Sequence, residues 1–119
     1  LTRLDDVLPV DTRIGVMKLD VEDHQEPALR GARALLERRS IRDILFEDHG
    51  TFPTPAMRLL ETAGYTLFSL AKRLSGPRVC PPDRTGTRPW DDPNYVATSD
   101  PDRLTRRLNR GGWRVLSPA

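Results

Sequence analysis

The chain has 119 residues, with 37% hydrophobic and 30% charged side chains and a formal net charge of +2. That length suits one domain with a modest core, and the near-balanced charge gives no strong pull toward nucleic acid or an anionic membrane. No apolar run approaches the ~20 residues of a membrane-spanning helix, no basic segment followed by an apolar one marks a secretory leader, and the single cysteine, Cys80, has no partner for an internal disulfide, so a reducing cytoplasm is the expected compartment.

Leu1 stands where an initiator Met is usual, which leaves the natural start open. Residues 14–21 (IGVMKLDV) read as a short, mostly apolar strand, weakly alternating, as expected when helices cover both faces. Residues 27–39 (PALRGARALLERR) read as one helix: Pro27 suits the first turn, and Ala28, Leu29, Ala32, Leu35 and Leu36 make one apolar stripe. Residues 41–48 (IRDILFED) predict a second strand centred on Ile44, Leu45 and Phe46. Thr54-Pro55 is a cap followed by proline at the first helical position. The helix it opens buries Ala56, Leu59, Leu60 and Ala63 and stops at Gly64.

Residues 65–70 (YTLFSL) predict a third strand, and 75–93, rich in Pro, Gly, Arg and Asp, a long loop. Residues 94–99 (NYVATS) predict a fourth strand. Asp100-Pro101 repeats the cap-plus-proline signal for a helix to about Asn109, with Leu104 and Leu108 inward and Gly111-Gly112 as its stop; 113–116 form a brief tail. Strands alternating with helices predict an α/β layer with mostly parallel strands. The last two strands lack a helix between them, so they are expected to pair antiparallel.

Five stretches, LDDVLP at 4–9, IGVMKLDVED at 14–23, LRGARALLERR at 29–39, DILFEDHG at 43–50 and LLETAGYTLFSL at 59–70, resemble the FkbM family of methyltransferases. PNYVATSDPDRL at 93–104, with Gly112-Trp113, is similar to the C-terminal end of members of that group. The resemblance covers most of the chain. It implies an S-adenosyl-L-methionine-dependent, Rossmann-like class I methyltransferase sheet of seven strands, of which this single partial domain keeps strands four to seven, with helices packed on the sheet. It also implies O-methylation of a small metabolite or sugar hydroxyl. The chain departs from the family in two places near the site: Asp23 stands where Gly is usual, and Gln25 where an acid is usual. No Gly-x-Gly-x-Gly or Gly-x-Gly-x-x-Gly run occurs, so the part that cradles the cofactor in such folds is not found in this sequence.

In open α/β sheets ligands bind beyond the carboxyl ends of the strands. Asp20 and Glu22 close the first predicted strand, and Glu47, Asp48 and His49 the second, so parallel neighbours bring both clusters to one rim. The resemblance makes Asp20 the candidate beside the cofactor and the reacting methyl group. Glu22 and His24 are candidate catalytic bases; Lys18, Glu47 and His49 are candidate substrate contacts, with Lys18 placed to pair with one of the acids. No spacing is diagnostic of a metal site.

Two readings from other classes stay open: a non-catalytic remnant or interaction module of the same fold, and a metal-dependent hydrolase using the acids and histidines of the rim. Trp90, Tyr95 and Trp113 beside Arg84, Arg88 and Arg114 offer a weaker nucleic-acid stacking surface. The expected partners are a small-molecule acceptor, with no nucleic acid and no membrane. A second copy of the chain is also expected, because a strand over 14–21 without a neighbour would be an exposed apolar edge.

Overall fold

The computed structural model describes residues 2–82 and 93–109. The elements in chain order are α1 (Leu4–Val7), β1 (Ile14–Leu19), α2 (Gln25–Arg30), α3 (Arg33–Glu37), β2 (Ile41–Glu47), α4 (Pro55–Thr62), β3 (Thr66–Ala71), β4 (Arg78–Cys80), β5 (Asn94–Thr98) and α5 (Pro101–Leu108). The long-loop expectation for 75–93 gives way at its start to β4, and its residues 83–92 lie outside the described residues, as do Trp113 and the predicted stop at Gly111-Gly112.

The fold is mixed α/β around one five-stranded sheet in the order β1-β2-β5-β3-β4. The expectation of a mostly parallel sheet is corrected: among the described residues β1–β2 is the one parallel pair, and β2–β5, β5–β3 and β3–β4 are antiparallel. The reason is where the last strand goes. β5 enters between β2 and β3, which otherwise run in the same direction, so one reversed strand turns two contacts antiparallel at once. The antiparallel pairing of the third and fourth predicted strands is present as β3–β5.

Alternation along the strands sorts side chains onto two faces. Ile44, Phe46, Tyr95, Ala97 and Leu67 join Leu29, Leu35 and Leu36 of the α2–α3 segment and Met57 and Leu60 of α4 in the core. Phe46 stacks on Tyr95 across the β2–β5 pair, ring centroids 5.7 Å apart. Tyr95 is 2% exposed, so it packs the core and is not available to stack on a base. The predicted cap at Thr54 accepts from the Met57 amide at 3.4 Å, and that at Asp100 from the Arg103 amide at 3.1 Å. Gly64 has φ +86°, the left-handed conformation that ends α4.

The helix expected over 27–39 is two short helices meeting at Gly31–Ala32. Asp5 explains the break: its carboxylate accepts from the amides of Ala34 (2.9 Å) and Leu35 (3.1 Å), and its own amide donates to Gly31. These groups would be left unpaired at two helix ends; α1 satisfies them from 29 residues away.

β1 is not covered on both faces. It is an edge strand with Val16 61% exposed, and among the described residues its backbone partners are β2 and Ser40.

On the sheet face away from the core helices, Asp43 of β2 is only 5% exposed. It accepts from Thr98 Oγ1 of β5 (2.7 Å), from Arg42 Nε (3.1 Å) and from a guanidinium NH2 of Arg103 on α5. Burial alone pushes this carboxyl up. The hydrogen bonds from Thr98, Arg42 and Arg103, with the positive charge of Arg103, outweigh burial and hold it below the usual carboxylate range. A group depressed in the folded state stabilises the fold above its unfolded value, near ~4, and that contribution is lost as pH falls through the folded value. Asp43→Asn therefore lowers unfolding free energy at neutral pH by about 3 kcal/mol, and the gap between variant and parent closes as urea melts are moved from pH 7 to acid below pH 4. A gap that stays constant with pH would show that Asp43 carries no charge-dependent stability.

Candidate functional site

The parallel pairing aligns Leu19 with Phe46, so the chain leaves β1 at Asp20 beside the point where β2 ends at Glu47. Between the two ends lies a cavity of about 250 Å³ lined by Leu19, Asp20, Val21, Glu22, Asp23, Gln25, Glu47 and His49. Sequence reasoning expected Asp20, Glu22, Glu47, Asp48 and His49 to share a rim; the fold brings four of them to the cavity lining, and Asp48 is buried outside it.

Two other candidates are elsewhere. His24 does not line the cavity: it opens α2, and its Nδ1 sits 2.7 Å from the Glu22 carbonyl in the turn. Lys18 stands outside it, exposed, with its Nζ donating to Asp20 Oδ2 at 2.7 Å. That hydrogen bond, reinforced by the charge of Asp20, raises the ammonium above its ordinary value. Lys18 thus acts on the cavity through Asp20.

His49 and Glu47 form a pair, Nε2 to Oε1 at 2.6 Å. A carboxylate in that position fixes the ring and its tautomer, the arrangement by which an imidazole is oriented to accept or deliver a proton.

The turn between β1 and α2 is shaped by Asp23 and Gln25. Asp23 has φ +55°, so the turn does require the left-handed conformation, which Asp tolerates better than most residues. Gln25 has a role that a sequence reading of lost charge misses: its amide Nε2 donates to the Glu47 carbonyl at 2.7 Å, tying the start of α2 to the end of β2. An amide can make that bond and a carboxylate cannot. Asp48 is also placed structurally, with its side chain accepting from Thr54 Oγ1 (2.6 Å) and the Gly50 amide (2.9 Å) beneath the site. Its charge, after burial, contributes to raising the Tyr95 phenol. Thr54 in turn caps α4, so the loop after β2 is held from inside.

Among the described residues no group of three or more His, Cys, Asp or Glu side chains is arranged to hold a metal ion, and no helix is long and apolar enough to cross a membrane. No family model matches the chain, and neither a curated protein nor a solved structure matches it.

The Gln25 bridge gives a test with a sign. Gln25→Ala loses about 1 kcal/mol of stability. Gln25→Glu loses more at pH 7, where the carboxylate faces a carbonyl oxygen, and recovers toward the parent near pH 4, where the protonated acid can donate. Chemical denaturation of the three proteins at both pH values reads this directly; an acid-insensitive Gln25→Glu would mean that the bridge contributes nothing in solution.

Proposed function

We propose that this chain is the C-terminal half of an S-adenosylmethionine-dependent methyltransferase of the FkbM type, acting on a hydroxyl of a small metabolite or sugar. The observation that carries the reading is the cavity where β1 and β2 end together, with Asp20 and Glu22 on one side and the Glu47–His49 pair on the other. Strand order supports it. A class I methyltransferase sheet ends with its last strand inserted antiparallel between two strands of common direction, and β5 lies so between β2 and β3.

The residues present fit one end of the cofactor. Carboxylates at Asp20 and Glu22 favour a cationic or hydroxyl-bearing group at the rim. When bound, S-adenosylmethionine would supply an electrophilic methyl group. This chain's own part is to hold the acceptor hydroxyl in line and to take its proton; His49, steered by Glu47, is the group built for the proton, and Asp20, steadied by Lys18, for the positive charge.

A second reading takes the half-sheet as a non-catalytic module, since Gln25 is spent on the Glu47 carbonyl and His24, a candidate base, does not line the cavity. Calorimetric titration with S-adenosylhomocysteine separates the two. The methyltransferase reading expects saturable heat; folded protein that gives no heat leaves the module.

Among the described residues β1 is an edge strand, and a second copy of the chain is a partner that fits it: the strand is apolar at Ile14, Val16, Met17 and Leu19. Sedimentation equilibrium should show concentration-dependent association that Val16→Lys abolishes. A parent that stays monomeric at every concentration would rule this edge out.

A further inference from the structure

A second cleft, of about 380 Å³, runs between the α2–α3 segment and α4 and shares no lining residue with the strand-end cavity. Its floor is apolar, formed by Leu36, Leu59 and Ala63. Its walls carry charge in a definite order. Glu26, Arg30, Arg33 and Glu37 follow one another at helical spacing, with the acids at the two ends and the arginines in the middle. Glu26 holds Arg30 at 2.6 Å and Glu37 holds Arg33 at 2.7 Å.

Arg58 stands on the opposite wall, from α4. Among the described residues it has no acidic partner; its side chain makes one long contact, Nε to the Pro53 carbonyl at 3.5 Å. The cleft therefore lines an apolar floor with three guanidiniums against two carboxylates.

We propose that this cleft binds a small amphipathic anion: a carboxylate or sulfonate head held by Arg58 with Arg30 and Arg33, and a short apolar body laid on Leu36, Leu59 and Ala63. Three features select that class. The volume falls in the range of small-molecule sites, roughly 300–1,000 Å³. The excess charge is a planar guanidinium, which matches oxyanions bidentately. The two flanking carboxylates reject a polyanion, so nucleic acid and a flat anionic membrane are disfavoured. The inference does not rest on the methyltransferase reading and stands or falls separately from it.

The test uses the full chain, ¹⁵N-labelled, titrated with 8-anilinonaphthalene-1-sulfonate and with decanoate, and separately mixed with phosphatidylglycerol vesicles. Saturable one-to-one binding is expected, with amide shifts at Leu36, Thr62 and Ala63. Arg58→Glu, a surface change, weakens it by about tenfold. Glu37→Gln, which releases Arg33, tightens it by about two- to threefold. Arg73→Glu, at an exposed site outside the cleft, leaves it unchanged. Decanoate displaces the sulfonate probe and decanol does not. The proposal is overturned if Arg58→Glu binds as the parent does, if decanol competes as well as decanoate, if the shifts map elsewhere, or if vesicles are bound while free decanoate is not.

Discussion

The insertion of β5 between β2 and β3 is the constraint on which the rest of the structure depends. It brings the last described strand into the middle of the sheet, and a buried carboxylate marks the place. Asp43 on β2 is met by Thr98 on β5 and by Arg103 on α5, so strand, strand and helix converge on one charge. A carboxylate so enclosed is tolerable only with its hydrogen bonds in place. The same contacts select the register in which Asp43 lies opposite Thr98, because a slip of one residue would turn Asp43 toward the apolar core. With β2 held on that side, its other edge is presented to β1 in a fixed register, and the two strand ends come level.

The site follows from that levelness. Neither β1 nor β2 alone makes a cavity; each ends in a few polar residues of the kind that usually face water. Their parallel pairing sets Asp20 beside Glu47, and Gln25 keeps the following helix from swinging away by bonding the Glu47 carbonyl. Beneath, Asp48 and Thr54 lock the next loop and start α4. The cavity is thus walled by largely exposed acids and a histidine but built on backbone and side-chain bonds to buried groups.

The two pockets differ in kind. The strand-end cavity is acidic and lies at the edge of the sheet, next to the exposed flank of β1. The helical cleft is apolar below and cationic in the middle. They use opposite faces of chemistry, which is why a cation-favouring role for one and an anion-favouring role for the other do not conflict.

Local chemistry was enough to read several parts from the sequence. Thr54-Pro55 and Asp100-Pro101 each start a helix, because a hydroxyl or carboxylate before proline satisfies a free amide wherever it occurs; Gly64 ends one, because only φ of that sign closes the turn there. The apolar runs at 14–19 and 41–47 are strands, and their polar ends meet, as parallel neighbours require. What sequence could not supply depends on partners far along the chain. Asp5 breaks a helix 29 residues away, Gln25 finds a carbonyl 22 residues away, and Asp43 finds Arg103 at a separation of 60. No periodicity in a local window carries such pairings, and the insertion of β5 beside β2 is decided the same way. The sequence by itself determined most of the strands and helices and the polar groups that end them, but not α1, β4 or the break at Gly31–Ala32. Only the tertiary structure decided that β5 lies in the middle of the sheet, and that His49 lines the cavity while His24 does not, because those outcomes turn on which groups far apart in the chain meet when the sheet closes.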